Sequence, residues 1–184
     1  MKPNSIVLYR GITPSSVGLD IHGGYGETWT RDFSHAKRYA RAPYGYVLEA
    51  TLPSTAKQLV LMTVDDEGCS DYVEDGIRHL AELVGDSWLY DSLMSGRNSL
   101  WEVWEPEWTE ILIQAGYDSL FTGGFDGPEE YVLNPALLQF TRYYRKLADD
   151  QIAAYPIELD TLQKLGYVVG LRTAVNHTLF RTPQ

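Results

Sequence analysis

The stretch DSLFTGGFDGPEEYVLNP, residues 118–135, decides which class of fold the sequence predicts. Its first five residues favour a strand, residues 123–128 form a glycine-rich turn, and residues 130–133 favour a second strand. Asn134-Pro135 ends that strand, because proline cannot donate a hydrogen bond to a sheet. Two strands therefore follow each other here without an intervening helix.

The pattern outward from this stretch is an irregular mixture of strands and helices. Because strands and helices do not alternate regularly, a doubly wound parallel sheet is disfavoured and an α+β class is predicted. Residues 1–145 are predicted to form one domain, and residues 146–184 a helical C-terminal extension packed on or beside it. The other predicted strands are 6–9, 28–30, 46–52, 58–64 and 138–144. The predicted helices are about 32–42, with Asp32 or Ser34 as its N-cap, 72–84, 88–94, and 107–115, with Gly116 as its C-cap. In the extension, residues 152–153, 157–165 and 168–179 are predicted to be helical.

The composition limits the kinds of partner. The 184 residues carry 15 Lys and Arg against 25 Asp and Glu, a formal net charge of −10. Such a charge disfavours non-specific binding to nucleic acid, although Arg31, Lys37, Arg38 and Arg41 form a local basic group. The single cysteine, Cys69, cannot form an internal disulfide and favours a reducing compartment.

The sequence predicts neither a metal site nor a membrane partner. The four histidines show no metal-ligand spacing, and most of them are expected at the surface. No targeting segment or span-length apolar window is present. The predicted location is the cytoplasm, or a host or target cell that the protein enters without a cleavable signal.

Four short pieces stand out for their order and spacing. Together they resemble the ADP-ribosyltransferase superfamily, which includes the poly-ADP-ribose polymerases and bacterial mono-ADP-ribosylating toxins. The resemblance covers residues 6–145 in outline and implies a split two-sheet β-core with flanking helices. The pieces are Leu8-Tyr9-Arg10-Gly11, Gly26 to Ala40, Ala115 to Leu120, and Glu130-Tyr131-Val132-Leu133-Asn134-Pro135.

The resemblance implies that the NAD site begins at Arg10-Gly11. Arg10 matches the family arginine that contacts a phosphate and the ribose of NAD, a role suited to a planar guanidinium. Gly11 matches the residue whose backbone holds the nicotinamide carboxamide, where a side chain would obstruct close approach.

A second part of the implied site lies in the strand and helix that follow. Thr28 or Thr30 fills the family's Ser/Thr position, and counting back from the helix favours Thr28. Tyr39 then falls where the polymerases stack an aromatic ring on nicotinamide. Residues 18–26 match the loop that lies over the NAD site in the family, which implies a lid.

Glu130 matches the catalytic glutamate of the family. When nicotinamide leaves, the ribose becomes oxocarbenium-like, and a glutamate beside it holds the 2′-hydroxyl and stabilises the positive charge. Arginine-modifying toxins place a second Glu or Gln two residues earlier, where this chain has Pro128. Arginine-directed activity is therefore not expected. A less favoured register aligns Tyr131 with the glutamate and leaves the site without a carboxylate.

The function predicted from the resemblance is mono-ADP-ribosylation of a macromolecule with NAD as the substrate. The acidic surface favours a protein acceptor over nucleic acid. Two alternatives remain open: an NAD glycohydrolase, in which water is the acceptor, and a catalytically inactive interaction module. Helices of the extension over 146–184 are candidates for contact with the target or an antidote protein. Trp101, Trp104 and Trp108 are expected to pack in the core, with an exposed partner site as the alternative.

Overall fold

Short strands and short helices make up the part of the chain that the computed structural model describes, which is residues 5–12, 27–40, 45–65, 70–123, 127–146 and 152–156. The predicted α+β class is confirmed. The strands are β1 (Ile6–Ile12), β2 (Glu27–Trp29), β3 (Tyr46–Leu52), β4 (Gln58–Val60), β5 (Met62–Val64), β6 (Ser70–Tyr72), β7 (Ser119–Gly123), β8 (Pro128–Val132), β9 (Gln139–Lys146) and β10 (Ile152–Pro156). The helices are α1 (Phe33–Tyr39), α2 (Glu74–Val84), α3 (Ser87–Met94), α4 (Leu100–Val103) and α5 (Pro106–Gln114).

The chain divides into two units. The first comprises Met1–Ile21, Trp29–Ser54 and Asn134–Gln184, and the second comprises His22–Thr28 and Thr55–Leu133. This division cuts across the predicted domain of residues 1–145, because the second unit is inserted between segments of the first.

The first unit is built on an antiparallel sheet in the order β1-β3-β9-β10. Arg10 pairs with Leu48 and Ile12 with Tyr46, so these four side chains share one face. Leu8, Leu48 and Tyr46 are almost fully buried, each contributing on the order of 1.5–3 kcal/mol of hydrophobic stabilisation. β1 extends through Arg10 and Gly11, so the prediction that the strand ends before them is wrong.

Helix α1 of the first unit begins where the sequence predicts. Asp32 caps it, since its Oδ1 accepts a hydrogen bond from the Ser34 N–H at 2.7 Å. The helix ends at Tyr39, several residues before the predicted end. His35 and Ala36 are its buried residues.

The second unit combines a sheet in the order β2-β8-β7-β4 with helices α2 to α5. β7 pairs antiparallel with β8 and parallel with β4. The face that carries Leu59, Leu120 and Tyr131 packs with helix side chains such as Leu80 and Leu112 into one hydrophobic core. As expected, Trp104 and Trp108 belong to this core.

The strand predicted over residues 58–64 is interrupted at Leu61. The Leu61 N–H donates to the Phe121 carbonyl at 2.8 Å, whereas its carbonyl accepts from the Val73 N–H at 2.9 Å. The chain therefore leaves the β4–β7 pair, and β5 pairs with β6 instead. Tyr72 belongs to β6, so the helix predicted from residue 72 begins only at Glu74.

The predicted helical extension over residues 146–184 is wrong where the structure describes it. Lys146 ends β9, and Ile152–Pro156 form β10, which pairs antiparallel with β9. Cross-strand contact explains the difference, because the rings of Tyr143 and Tyr155 stack with centroids 5.1 Å apart. Residues 147–151 and 157–184 lie outside the described residues. In the described part of the chain, no helix is long and apolar enough to cross a membrane.

Candidate functional site

Glu130 is the buried carboxylate of the second unit. It lies in the middle of β8 with none of its surface exposed, on the sheet face that it shares with Phe121 of β7. Its Oε1 accepts a hydrogen bond of 2.6 Å from Nε2 of Gln58. A buried carboxylate requires such donors, since an unsolvated charge costs several kcal/mol. Glu129 points to the opposite face, as the strand alternation predicts.

Gln58 reaches Glu130 across the intervening strand. Gln58 of β4 pairs with Ser119 of β7, and Ser119 pairs with Val132 of β8, so all of them face the same side as Glu130. Phe121, which pairs with Glu130, lies on this face as well. The Ser119 hydroxyl is fully buried and makes no hydrogen bond within the described part of the chain.

The sequence analysis did not identify Gln58 or Ser119 as site residues. They lie 72 and 11 positions before Glu130, and nothing in the local pattern of either strand marks them. The only available signal is a polar residue at the start of an apolar strand, and that signal is common.

Thr28 and Thr30 occupy different environments. Thr28 lies on β2, the strand next to β8 in the sheet, and is partly exposed. Thr30 is buried, and its Oγ1 accepts a hydrogen bond of 3.1 Å from the Asp32 N–H. The Thr30 hydroxyl thus helps to form the start of α1. The assignment of Thr28 as the site residue stays a prediction.

Arg10 lies on β1 in the first unit, on the same face as Tyr46. Burial raises the pKa of Tyr46 to about 12, and the positive charge of Arg10 opposes that increase. The guanidinium is therefore close enough to Tyr46 to act on it electrostatically. Arg10 is partly buried, whereas a surface salt-bridge residue is normally exposed.

Gly11 lies at an edge of the same sheet. The Tyr9 N–H donates to the Thr30 carbonyl at 2.7 Å, and the Thr30 N–H donates to the Tyr9 carbonyl at 2.9 Å, so the backbone groups of Tyr9 point away from β3. Backbone groups two residues apart in a strand point the same way. The N–H and C=O of Gly11 therefore also point away from β3.

Helix α1 packs closely over Gly11. A Cβ atom at this position would lie 1.9 Å from the Ala36 carbonyl oxygen and 2.8 Å from the Tyr39 Cβ. These distances are impossible for a real side chain, so the packing of α1 requires glycine. The structure thus gives Gly11 a packing role that the sequence analysis did not predict.

Tyr39 lies beside Gly11 at the end of α1. The residue is 42% exposed, so it is partly accessible to solvent. The His35 ring lies 5.6 Å from the Tyr39 ring. His35 itself is buried, and its Nε2 has no hydrogen-bond partner among the described residues.

The predicted site residues fall into two groups. The first unit holds Arg10, Gly11, Thr30 and Tyr39, on β1 and around α1. The second unit holds Thr28 and Glu130 on neighbouring strands of one sheet. The predicted lid over residues 18–26 lies outside the described residues.

A second buried glutamate, Glu49, lies on β3 of the first unit. Its Oε1 accepts a hydrogen bond of 2.6 Å from the Thr141 hydroxyl and lies 3.0 Å from Nε of Arg142. Its Oε2 accepts a bond of 2.5 Å from the Tyr144 hydroxyl. Burial, followed by this bond and the charge of Glu49, raises the pKa of Tyr144 to about 12. Glu49 therefore fastens β3 to β9.

Within the described ranges, no group of three or more His, Cys, Asp or Glu side chains is arranged to hold a metal ion. Comparisons with protein-family models, with curated proteins and with solved structures find no match to this chain.

Proposed function

We propose that the protein is a mono-ADP-ribosyltransferase that cleaves NAD and transfers ADP-ribose to a macromolecule, with a protein acceptor favoured by its net charge of −10. The observation that carries this proposal is the fully buried Glu130 carboxylate, which accepts a hydrogen bond from the neutral amide of Gln58. Glu130 lies on β8, the strand next to β2, which carries Thr28.

Glu130 supplies the charge that the reaction requires. The bond between C1′ of the ribose and the nicotinamide nitrogen breaks, and nicotinamide leaves with the electron pair. The acceptor atom then bonds to C1′ and loses its proton. A carboxylate about 4 Å from the developing positive charge contributes roughly 4 kcal/mol, which is on the order of a thousandfold in rate.

The edge of β1 supports binding of the nicotinamide group. A primary carboxamide offers one N–H donor and one C=O acceptor side by side, as does a strand residue whose backbone groups face away from its neighbour. Gly11 offers that pair, and the partly exposed ring of Tyr39 lies next to it. Arg10, on the same strand, is suited to a phosphate of NAD.

The test uses NAD labelled in its adenylate part, with and without a whole-cell lysate. We expect nicotinamide release together with label on a macromolecule. Nicotinamide release without labelled macromolecule would identify an NAD glycohydrolase instead. Absence of both NAD cleavage and calorimetric NAD binding would refute both enzyme activities and favour the inactive interaction module.

The decisive pair of variants is Glu130→Gln and Glu129→Gln. The two residues are adjacent on β8 and point to opposite faces, so the substitutions remove a carboxylate from opposite faces of the same strand. We expect Glu130→Gln to lower the rate of nicotinamide release by about a thousandfold and Glu129→Gln to leave it within about threefold of wild type. Equal effects of the two substitutions would show that Glu130 has no specific role in the reaction.

A further inference from the structure

We propose that Gln58 is a positioning residue that holds the Glu130 carboxylate in a single orientation for the reaction; this inference rests on the proposed function. The evidence is the 2.6 Å hydrogen bond from Gln58 Nε2 to Glu130 Oε1, formed between residues 72 positions apart. Bonds to a charged acceptor are about twice as strong as neutral ones.

The sheet places the two side chains on one face. Gln58 and Glu130 lie on strands separated by β7, and neighbouring strands are spaced about 4.8 Å apart, so two long side chains are needed to span the distance. On that face of β7, the small Ser119 pairs with Gln58, and Phe121 pairs with Glu130. The short Ser119 side chain leaves room for the Gln58 side chain to extend across β7.

Gln58 also compensates for the absence of a polar residue at position 128, where the arginine-modifying toxins have Glu or Gln. The position two residues before Glu130, on the same strand and the same face, is Pro128, whose ring offers no hydrogen-bonding group. A polar partner for the carboxylate therefore cannot come from that position. Gln58 delivers an amide from β4 instead, and the buried carboxylate remains hydrogen-bonded.

The expected consequence is an effect on the chemical step. A glutamate side chain has three rotatable torsions, and the amide selects one arrangement of its carboxylate. Misplacement of a reacting group by about 1 Å costs up to roughly a hundredfold in rate. Loss of the amide should therefore lower kcat and leave the KM for NAD nearly unchanged.

The experiment compares Gln58→Met with Gln58→His. Methionine matches the length and volume of glutamine but has no donor, whereas the Nε2–H of histidine can donate from a similar position. We expect Gln58→Met to lower kcat for nicotinamide release by 10- to 100-fold with KM within about twofold of wild type, and Gln58→His to retain most of kcat. Thermal unfolding of each variant establishes that it is folded.

The outcomes separate this inference from the proposed function. If wild type releases nicotinamide and Glu130→Gln does not, but Gln58→Met equals wild type, only the role of Gln58 is refuted. If Gln58→Met retains more activity than Gln58→His, the side chain acts by packing and the inference also fails. If Gln58→Met does not fold, Gln58→Asn, which is one methylene too short to make the bond, replaces it with the same expected loss of kcat. If wild type itself neither binds nor cleaves NAD, the proposed function fails.

Discussion

Replacement of Gly11 by alanine tests both the packing of the first unit and the position of the proposed nicotinamide site. The new Cβ would lie 1.9 Å from the Ala36 carbonyl oxygen and 2.8 Å from the Tyr39 Cβ. A comfortable carbon–oxygen contact is about 3.3 Å, so the helix and strand must separate by roughly 1.4 Å. The obstructing atom belongs to the backbone of α1, so the whole helix must move.

The magnitude follows from this displacement. Forcing an extra methyl group into a packed interior costs about 1–3 kcal/mol, and the upper end applies because a backbone atom is in the way. For a chain of this size each kcal/mol lowers the Tm by about 2–4 °C, so we expect Gly11→Ala to lower it by about 6–12 °C. Since Tyr39 moves with α1, kcat/KM for NAD should fall by about 10- to 100-fold at a temperature where the variant is folded.

The assay combines thermal unfolding followed by circular dichroism with nicotinamide release at low temperature. Gly85→Ala is the control, because Gly85 has φ +72° at the end of α2 and nothing lies within 4 Å of its Cβ position. It should lose about 1–2 kcal/mol from left-handed backbone strain and keep kcat/KM. A Gly11→Ala variant with a wild-type Tm would refute the packing argument. A lowered Tm with unchanged kcat/KM would show that NAD does not bind at this edge of the sheet.

Two further predictions concern stability. The pKa values of Tyr46 and Tyr144 rise from 10.0 to about 12 on folding, so the folded state retains protons that the unfolded chain loses; their contribution is complete below about pH 10 and is lost as the pH rises towards about 12. The Tm should fall across that window and fall less in Tyr46→Phe; a Tm that is constant across it would contradict the prediction. Trp108 is 4% exposed, and its ring centroid lies 5.5 Å from that of Trp104. Trp108→Ala should therefore lower the free energy of unfolding, measured by guanidinium titration, by about 3–5 kcal/mol. A loss below about 1 kcal/mol would show that the two rings do not form a packed core.

Local signals predicted much of the fold because they act within a few residues. The run Tyr46–Leu52 is a strand as predicted, and α1 begins at its Asp32 cap. The α5 helix ends next to Gly116, which adopts φ +83° as a C-terminal glycine should. Propensity, capping and turn chemistry fix each of these without help from distant residues.

The errors arise where distant contacts override the local pattern. Leu61 interrupts an otherwise continuous apolar run because its two backbone groups bond to Phe121 and to Val73. Residues 152–156 form β10 because Tyr155 stacks on Tyr143. Neither partner is visible from the sequence around the residue concerned, so a local prediction had no basis for choosing correctly.

The candidate site shows the same division. Arg10, Gly11 and Glu130 are visible as short motifs, whereas the Gln58 contact depends on β7 lying between β4 and β8. That arrangement is parallel on one side and antiparallel on the other. The sequence does not specify such an order, and the distance between Gln58 and Glu130 is therefore known only from the fold.

The two buried glutamates show why burial alone does not identify a catalytic residue. Glu49 and Glu130 both lie in apolar strands, at 8% and 0% exposure, and the sequence gives no reason based on burial to prefer either. Glu49 of β3 contacts Thr141, Tyr144 and Arg142, which all lie on β9. These contacts join the two strands, and this structural role accounts for the buried carboxylate. Glu130 accepts a hydrogen bond from the amide of Gln58, whose side chain reaches it across the intervening strand β7. An arrangement of that kind adds little to the pairing of β7 and β8, which their backbone bonds already secure. If Gln58 fixes the direction of the Glu130 carboxylate as proposed, loss of Glu130 should stop the reaction, whereas loss of Glu49 should lower stability.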